Sequence, residues 1–102
     1  MKDKEIMISV SKGNLSYAGE PVGDPVVVKP GSKIKWTCNE PSFAIHLGWD
    51  SPCEKGRYRS DKGNSVTAQV RKNARPGTYK YSVAVSVAGK IWTDDPQIII
   101  PE

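Results

Sequence analysis

Thr78-Tyr79-Lys80-Tyr81-Ser82-Val83-Ala84-Val85-Ser86-Val87 is the longest regular alternation in the chain. A period of two puts Tyr79, Tyr81, Val83, Val85 and Val87 on one face and Lys80, Ser82, Ala84 and Ser86 on the other. Aromatic and β-branched side chains suit a packed pleated surface, so the stretch is predicted to be a half-buried strand. Arg75-Pro76-Gly77 before it reads as a turn, since proline presets φ and glycine accepts the conformations other residues avoid.

The same pattern recurs elsewhere. Ile34, Trp36 and Cys38 alternate with Lys33, Lys35 and Thr37, whose lysines are expected to face water. Phe43, Ile45, Leu47 and Trp49 alternate with Ala44, His46 and Gly48, which turns His46 away from the core. Val66, Ala68 and Val70 mark a further half-buried strand. Glu5 to Val10 suits a first strand, followed by a turn or short second piece reaching Tyr17. Val26, Val27 and Val28 form an apolar run that selects no face, and Ile98 to Ile100 is a last strand stopped by Pro101. Ala88 to Thr93 is read as the connection between the ladder and that last strand. Turn clusters separate these segments at Lys12-Gly13-Asn14, Pro21 to Pro25, Pro30-Gly31, Glu40-Pro41-Ser42, Asp50-Ser51-Pro52, Asp61 to Asn64 and Asp94-Asp95-Pro96.

This spacing leaves little room for a long helix. Short strands without helices bury their apolar faces by stacking two sheets, so the fold class is all-β, a sandwich, with residues 1–102 as a single domain. The composition, 37% hydrophobic and 25% charged, is that of a folded globular chain rather than a disordered one. A net charge of +4, spread along the sequence, permits an acidic partner without indicating one. No apolar run approaches the length of a membrane-spanning helix, and MKDKEIMISV lacks the apolar segment of a secretory signal.

Pro30-Gly31-Ser32-Lys33-Ile34-Lys35-Trp36, then PSFAIHLGWDSPC, then RPGTYKYSV, taken in that order, resemble the cupredoxin superfamily, in particular its metal-free bacterial cupredoxin-like domains. The resemblance spans about Ile6 to Pro101 and implies a Greek-key sandwich of seven or eight strands. It also implies that the Tyr79 hydroxyl braces the loop before its strand. In copper-binding relatives a cysteine occupies the late strand, and that position falls on Val83 here. No histidine or methionine follows Val83. His46 lies near the first-ligand region, but aligning Trp49 with the family's later aromatic puts the ligand position on Ile45. Blue copper requires a thiolate and imidazoles, which this pattern does not provide.

The function this points to is a noncatalytic interaction or structural module with no cofactor. The alternative is an atypical metal-binding or redox domain using Cys38, His46 and Cys53. Cys38 and Cys53 are also candidates for a structural disulfide, worth roughly 3 kcal/mol if unstrained. Pairing would imply an exported or periplasmic protein; unpaired thiols suit the cytoplasm. Ser51, Asp50 and the single histidine form no recognisable nucleophile–base arrangement, so no enzyme is expected. Asp94 and Asp95 read as solvated loop carboxylates. Lys55, Arg57, Arg59 and Lys62 around Tyr58 are the best basic patch, and Trp92 reads as either a cap over the sandwich or an exposed anchor. Trp92, Arg57, Tyr58 and Arg59 are therefore the candidate contacts, for a protein partner first and a saccharide second. Nucleic acid is disfavoured, because stacking on bases needs exposed aromatics beside the basic surface, and Trp36 and Trp49 follow the core alternation.

Overall fold

The computed structural model describes residues 3–11, 14–19, 25–39, 42–48, 50–60 and 64–102, with the backbone alone at Ser11, Asn14, Ser16, Ala18 and Gly19. Trp49, Lys62 and the cores of the turn clusters at 12–13, 20–24, 40–41 and 61–63 lie outside the described residues.

Among the described residues eleven strands follow in chain order: β1 Lys4–Ser11, β2 Asn14–Gly19, β3 Val26–Val27, β4 Lys33–Cys38, β5 Ser42–His46, β6 Arg57–Arg59, β7 Ser65–Gln69, β8 Gly77–Lys80, β9 Ser82–Val87, β10 Lys90–Asp94 and β11 Gln97–Ile100. They form three sheets, ordered β2-β1-β4-β7, β10-β9-β5-β6 and β3-β11-β8. The β1–β4 and β3–β11 pairs are parallel and the remaining pairs antiparallel.

Two of the eleven strands, beyond the seven or eight expected, arise from a division with a physical reason. The long ladder divides at Tyr81, where it faces Pro96. Lys80 lies opposite Gln97 and Val83 opposite Asp94 in one unbroken register, but Pro96 has no N–H to give. Its carbonyl still accepts the Tyr81 N–H at 3.0 Å. β8–β9 and β10–β11 are thus one long ribbon, its two halves recruited into different sheets by β5 and by β3.

The tip of that ribbon corrects the reading of Ala88 to Thr93 as a connection. Val87 pairs with Lys90 across a two-residue turn, with Ala88 at φ 50 and Gly89 at φ 81. Positive φ at both central residues is the type I′ turn that matches strand twist. Alanine is a poor residue for its first position, which conceals the hairpin in the sequence.

The alternation itself holds. Ile34, Trp36, Cys38, Phe43, Ile45, Leu47, Val66, Ala68, Val70, Tyr81, Val83 and Val85 are all buried in one core, with Tyr79 and Val87 partly buried against it. Lys33 and Lys35 are exposed. Val26 and Val28 point inward and Val27 outward, settling the face of the valine run. The indole Nε1–H of Trp36, on β4, donates to the Tyr81 hydroxyl at 3.1 Å, with ring centroids 5.5 Å apart. One buried hydrogen bond therefore ties the first sheet to the ribbon facing it. The Tyr79 hydroxyl donates to the Arg75 carbonyl at 2.7 Å, bracing the Pro76-Gly77 turn as the resemblance implies.

Candidate functional site

Val83 and Ile45, the two positions where copper relatives carry ligands under the alignment above, are direct cross-strand partners on β9 and β5. Both have no solvent exposure. Two aliphatic side chains fill the place with packed surface and supply no donor atom. The residues present do not fit a copper ion.

The three residues of the alternative metal site are not brought together either. Cys38 ends β4, where its N–H donates to the Asn64 carbonyl at 3.2 Å. Cys53 forms a bridge with Val70, whose N–H donates to the Ser32 carbonyl at 2.9 Å, at the other end of the β4–β7 ladder. Six residues of extended chain separate those levels, about 20 Å at ~3.3 Å per residue. A disulfide needs Cα atoms within about 7 Å. Both cysteines are buried thiols and the expected bridge is not formed. His46 is exposed on the far face of β5. Among the described residues no group of three His, Cys, Asp or Glu side chains could hold a metal ion.

Burial explains the chemistry of Cys53. Desolvation pushes its thiol up to about 11, Arg71 opposing and Glu54 adding to the shift. A thiol so placed is a poor nucleophile at neutral pH, because the thiolate is the reactive form. Ser51, beside it, is committed to the loop: its hydroxyl accepts the Cys53 N–H at 3.0 Å and donates to the Lys55 carbonyl at 2.8 Å. The Arg71 guanidinium ties the same loop to β7 through the Cys53 carbonyl at 3.0 Å.

The outer face of the β10-β9-β5-β6 sheet carries the remaining candidates. Arg57 lies opposite His46, which lies opposite Ser82, and the Ser82 hydroxyl donates to Asp95 at 3.2 Å. Serine, histidine and aspartate thus share a row, but the aspartate bonds the serine, and among the described residues no hydrogen bond orients the histidine. A nucleophile's base must itself be held by the third group, so the row has no triad chemistry. Two residues along each strand, Arg59, Ala44 and Ala84 form the next row on this face. Small side chains here leave an open groove of about 470 Å³, lined by Ser42, Ala44, Ala84, Ser86, Arg59 and Ile91. Ile91 is 68% exposed, and the sequence from Ala88 to Thr93 carries no alternation that marks it as a strand residue.

The candidate contacts separate by face and edge. Arg57 and Arg59 are exposed on the outer face of β6, whereas Tyr58 between them turns inward against the core. Its hydroxyl accepts the Lys55 N–H at 3.1 Å, and burial raises its pKa, the Lys55 bond opposing. Trp92, on β10, pairs with inward-facing Val85 and is half-buried at the opposite edge. Trp92 and the two arginines therefore belong to different surfaces. Asp94 accepts from the Tyr17 hydroxyl at 3.1 Å and from the Asp95 N–H at 2.8 Å, so the acidic pair has local donors.

No family model matches the sequence, and no curated protein matches it. Among solved structures, the chain is similar to an oxidised point mutant of amicyanin, with 13% identity and a TM-score of 0.50, over 94% of this chain and 81% of that one. The reduced copper(I) form of another amicyanin mutant gives 13% identity and a TM-score of 0.49, over 98% of this chain and 85% of that one. At this identity the likeness is one of fold: an all-β, cupredoxin-like sandwich.

Proposed function

We propose that residues 1–102 form a single noncatalytic recognition or structural module, a cupredoxin-like scaffold that makes contacts instead of carrying electrons. One observation carries the reading: Ile45 and Val83 close the metal-ligand positions with a buried aliphatic pair. Recognition is noncovalent and a protein is the favoured partner. Arg57 and Arg59 with the Ile91 groove offer one contact surface, combining cationic donors with exposed apolar area. Trp92 offers a second, at the other edge of the sheet. Tyr58 serves by fixing the loop that presents the arginines.

Equilibrium dialysis of the reduced protein against copper and zinc salts, followed by metal analysis, tests this reading. The expected result is no stoichiometric uptake. One bound equivalent that disappears in His46→Ala would overturn it in favour of a metal-binding domain.

A further inference from the structure

β10 is the edge strand of its sheet, and the register fixes which of its backbone groups point away from that sheet. The Ser60 N–H donates to the Phe43 carbonyl at 2.8 Å and the Phe43 N–H to Ser60 Oγ at 3.0 Å, so Phe43 turns its backbone toward β6. Ser42, Ala44 and His46 then bond β9, through Ser86, Ala84 and Ser82. On β9 this leaves Val83, Val85 and Val87 to bond β10, through Asp94, Trp92 and Lys90. The N–H and C=O groups of Ile91 and Thr93 are directed outward. Among the described residues no backbone group bonds them from that side.

Among the other edges β3 has two residues, β6 three and β8 four. β7 has five, its last carbonyl taken by the Glu54 N–H at 2.9 Å, and β2 has six; neither contains a charged residue that would select a register. β10 presents five, and Lys90, Ile91, Thr93 and Asp94 are all exposed.

We propose that β10 pairs antiparallel with β10 of a second copy about a two-fold axis at Trp92, joining two four-stranded sheets into one. Charge selects this occupant. The strand reads Lys90-Ile91-Trp92-Thr93-Asp94, cationic at its start and anionic at its end. Antiparallel self-pairing sets Lys90 against Asp94 of the second copy at both ends, whereas parallel pairing would set lysine against lysine. The backbone fits the same register: Ile91 lies opposite Thr93 of the second copy, and both carry outward groups, so each such pair exchanges two hydrogen bonds. The two Trp92 rings meet at the non-hydrogen-bonded position, where strands approach most closely. The Tyr17 hydroxyl on Asp94 holds the carboxylate in place without neutralising it. The inference rests on the recognition reading above and names its partner.

Sedimentation of the full chain from micromolar to millimolar concentration tests it. Wild type is expected to show a reversible monomer–dimer equilibrium. Lys90→Glu and Asp94→Lys each create like-charge pairs at both ends and weaken the dimer roughly tenfold or more. An equimolar mixture of the two restores association, since every end again pairs opposite charges. Thr93→Pro removes an outward N–H while sparing the monomer's own ladder, so it abolishes the dimer with little change in melting temperature. A wild type that stays monomeric throughout, or a mixture no more associated than its components, overturns the proposal. A monomeric wild type that loses a different protein partner on Thr93→Pro also overturns self-pairing, while the recognition reading stands. Stoichiometric copper uptake would sink that reading and leave the dimer untouched.

Discussion

Tyr81→Phe removes a single oxygen from the centre of the molecule, and its effect follows from what that oxygen holds. Trp36 has no solvent exposure and Tyr81 only 2%, so water cannot replace the lost acceptor of the indole N–H. Leaving a buried donor unsatisfied costs about 1–3 kcal/mol. Phenylalanine keeps the tilted ring contact, so packing changes little and the loss is that of the hydroxyl's hydrogen bonding, the Trp36 bond included. In a domain of this size each kcal/mol moves the melting temperature by about 4–8 °C, so a fall between about 4 and 24 °C is expected. Urea unfolding followed by far-UV circular dichroism would measure it, within a double-mutant cycle that includes Trp36→Phe. Partners in direct contact should couple by about 0.5–3 kcal/mol. If Tyr81→Phe matches wild type to within about 0.3 kcal/mol, or the two substitutions are additive, the bond does not tie the sheets together as argued.

Two further predictions concern single sites. The Cys53 thiol stands near 9.0 in the unfolded chain and about 11 when folded. Between those values the unfolded chain has released a proton that the folded one keeps, so this group makes stability fall as pH rises. The slope is about 1.4 kcal/mol per pH unit and ends near the folded value. Cys53→Ala should lose this component of the alkaline fall in urea midpoints, and equal slopes in the two proteins would refute the assignment. Ala88 holds a left-handed conformation that costs a non-glycine residue about 1–2 kcal/mol, whereas Asn-Gly is favoured in a type I′ turn. Ala88→Asn should therefore raise stability by about 1 kcal/mol in thermal unfolding; a lower melting temperature would contradict the turn assignment.

Much of the core was legible because burial in a strand is written as a local period. Ile34 against Lys33, Phe43 against Ala44 and Val83 against Ser82 each reveal an inward face without knowledge of the neighbours. The Tyr79 brace was legible only through the resemblance, because Pro76-Gly77 by itself predicts a turn before a packed aromatic and not where the hydroxyl bonds. Contacts between distant segments were not legible. Cys38 and Cys53 look like partners in sequence, yet β4 and β7 run between them and hold them at opposite ends of a ladder. Arg57, Tyr58 and Arg59 look like one patch, yet the pleat that exposes the arginines turns the tyrosine inward.

From the sequence by itself come the all-β class, the inward ladder from Tyr79 to Val87 and the absence of a thiolate at Val83, since each depends only on residue type and a period of two. Tertiary structure alone decided that Val83 faces Ile45, that the ladder breaks opposite Pro96 into two sheets, and that β10 is an edge strand of its sheet. Those facts depend on which strands are neighbours. The pleat tells each strand which side to bury, and only the competition of all strands for one shared core tells it beside which other strand to do so.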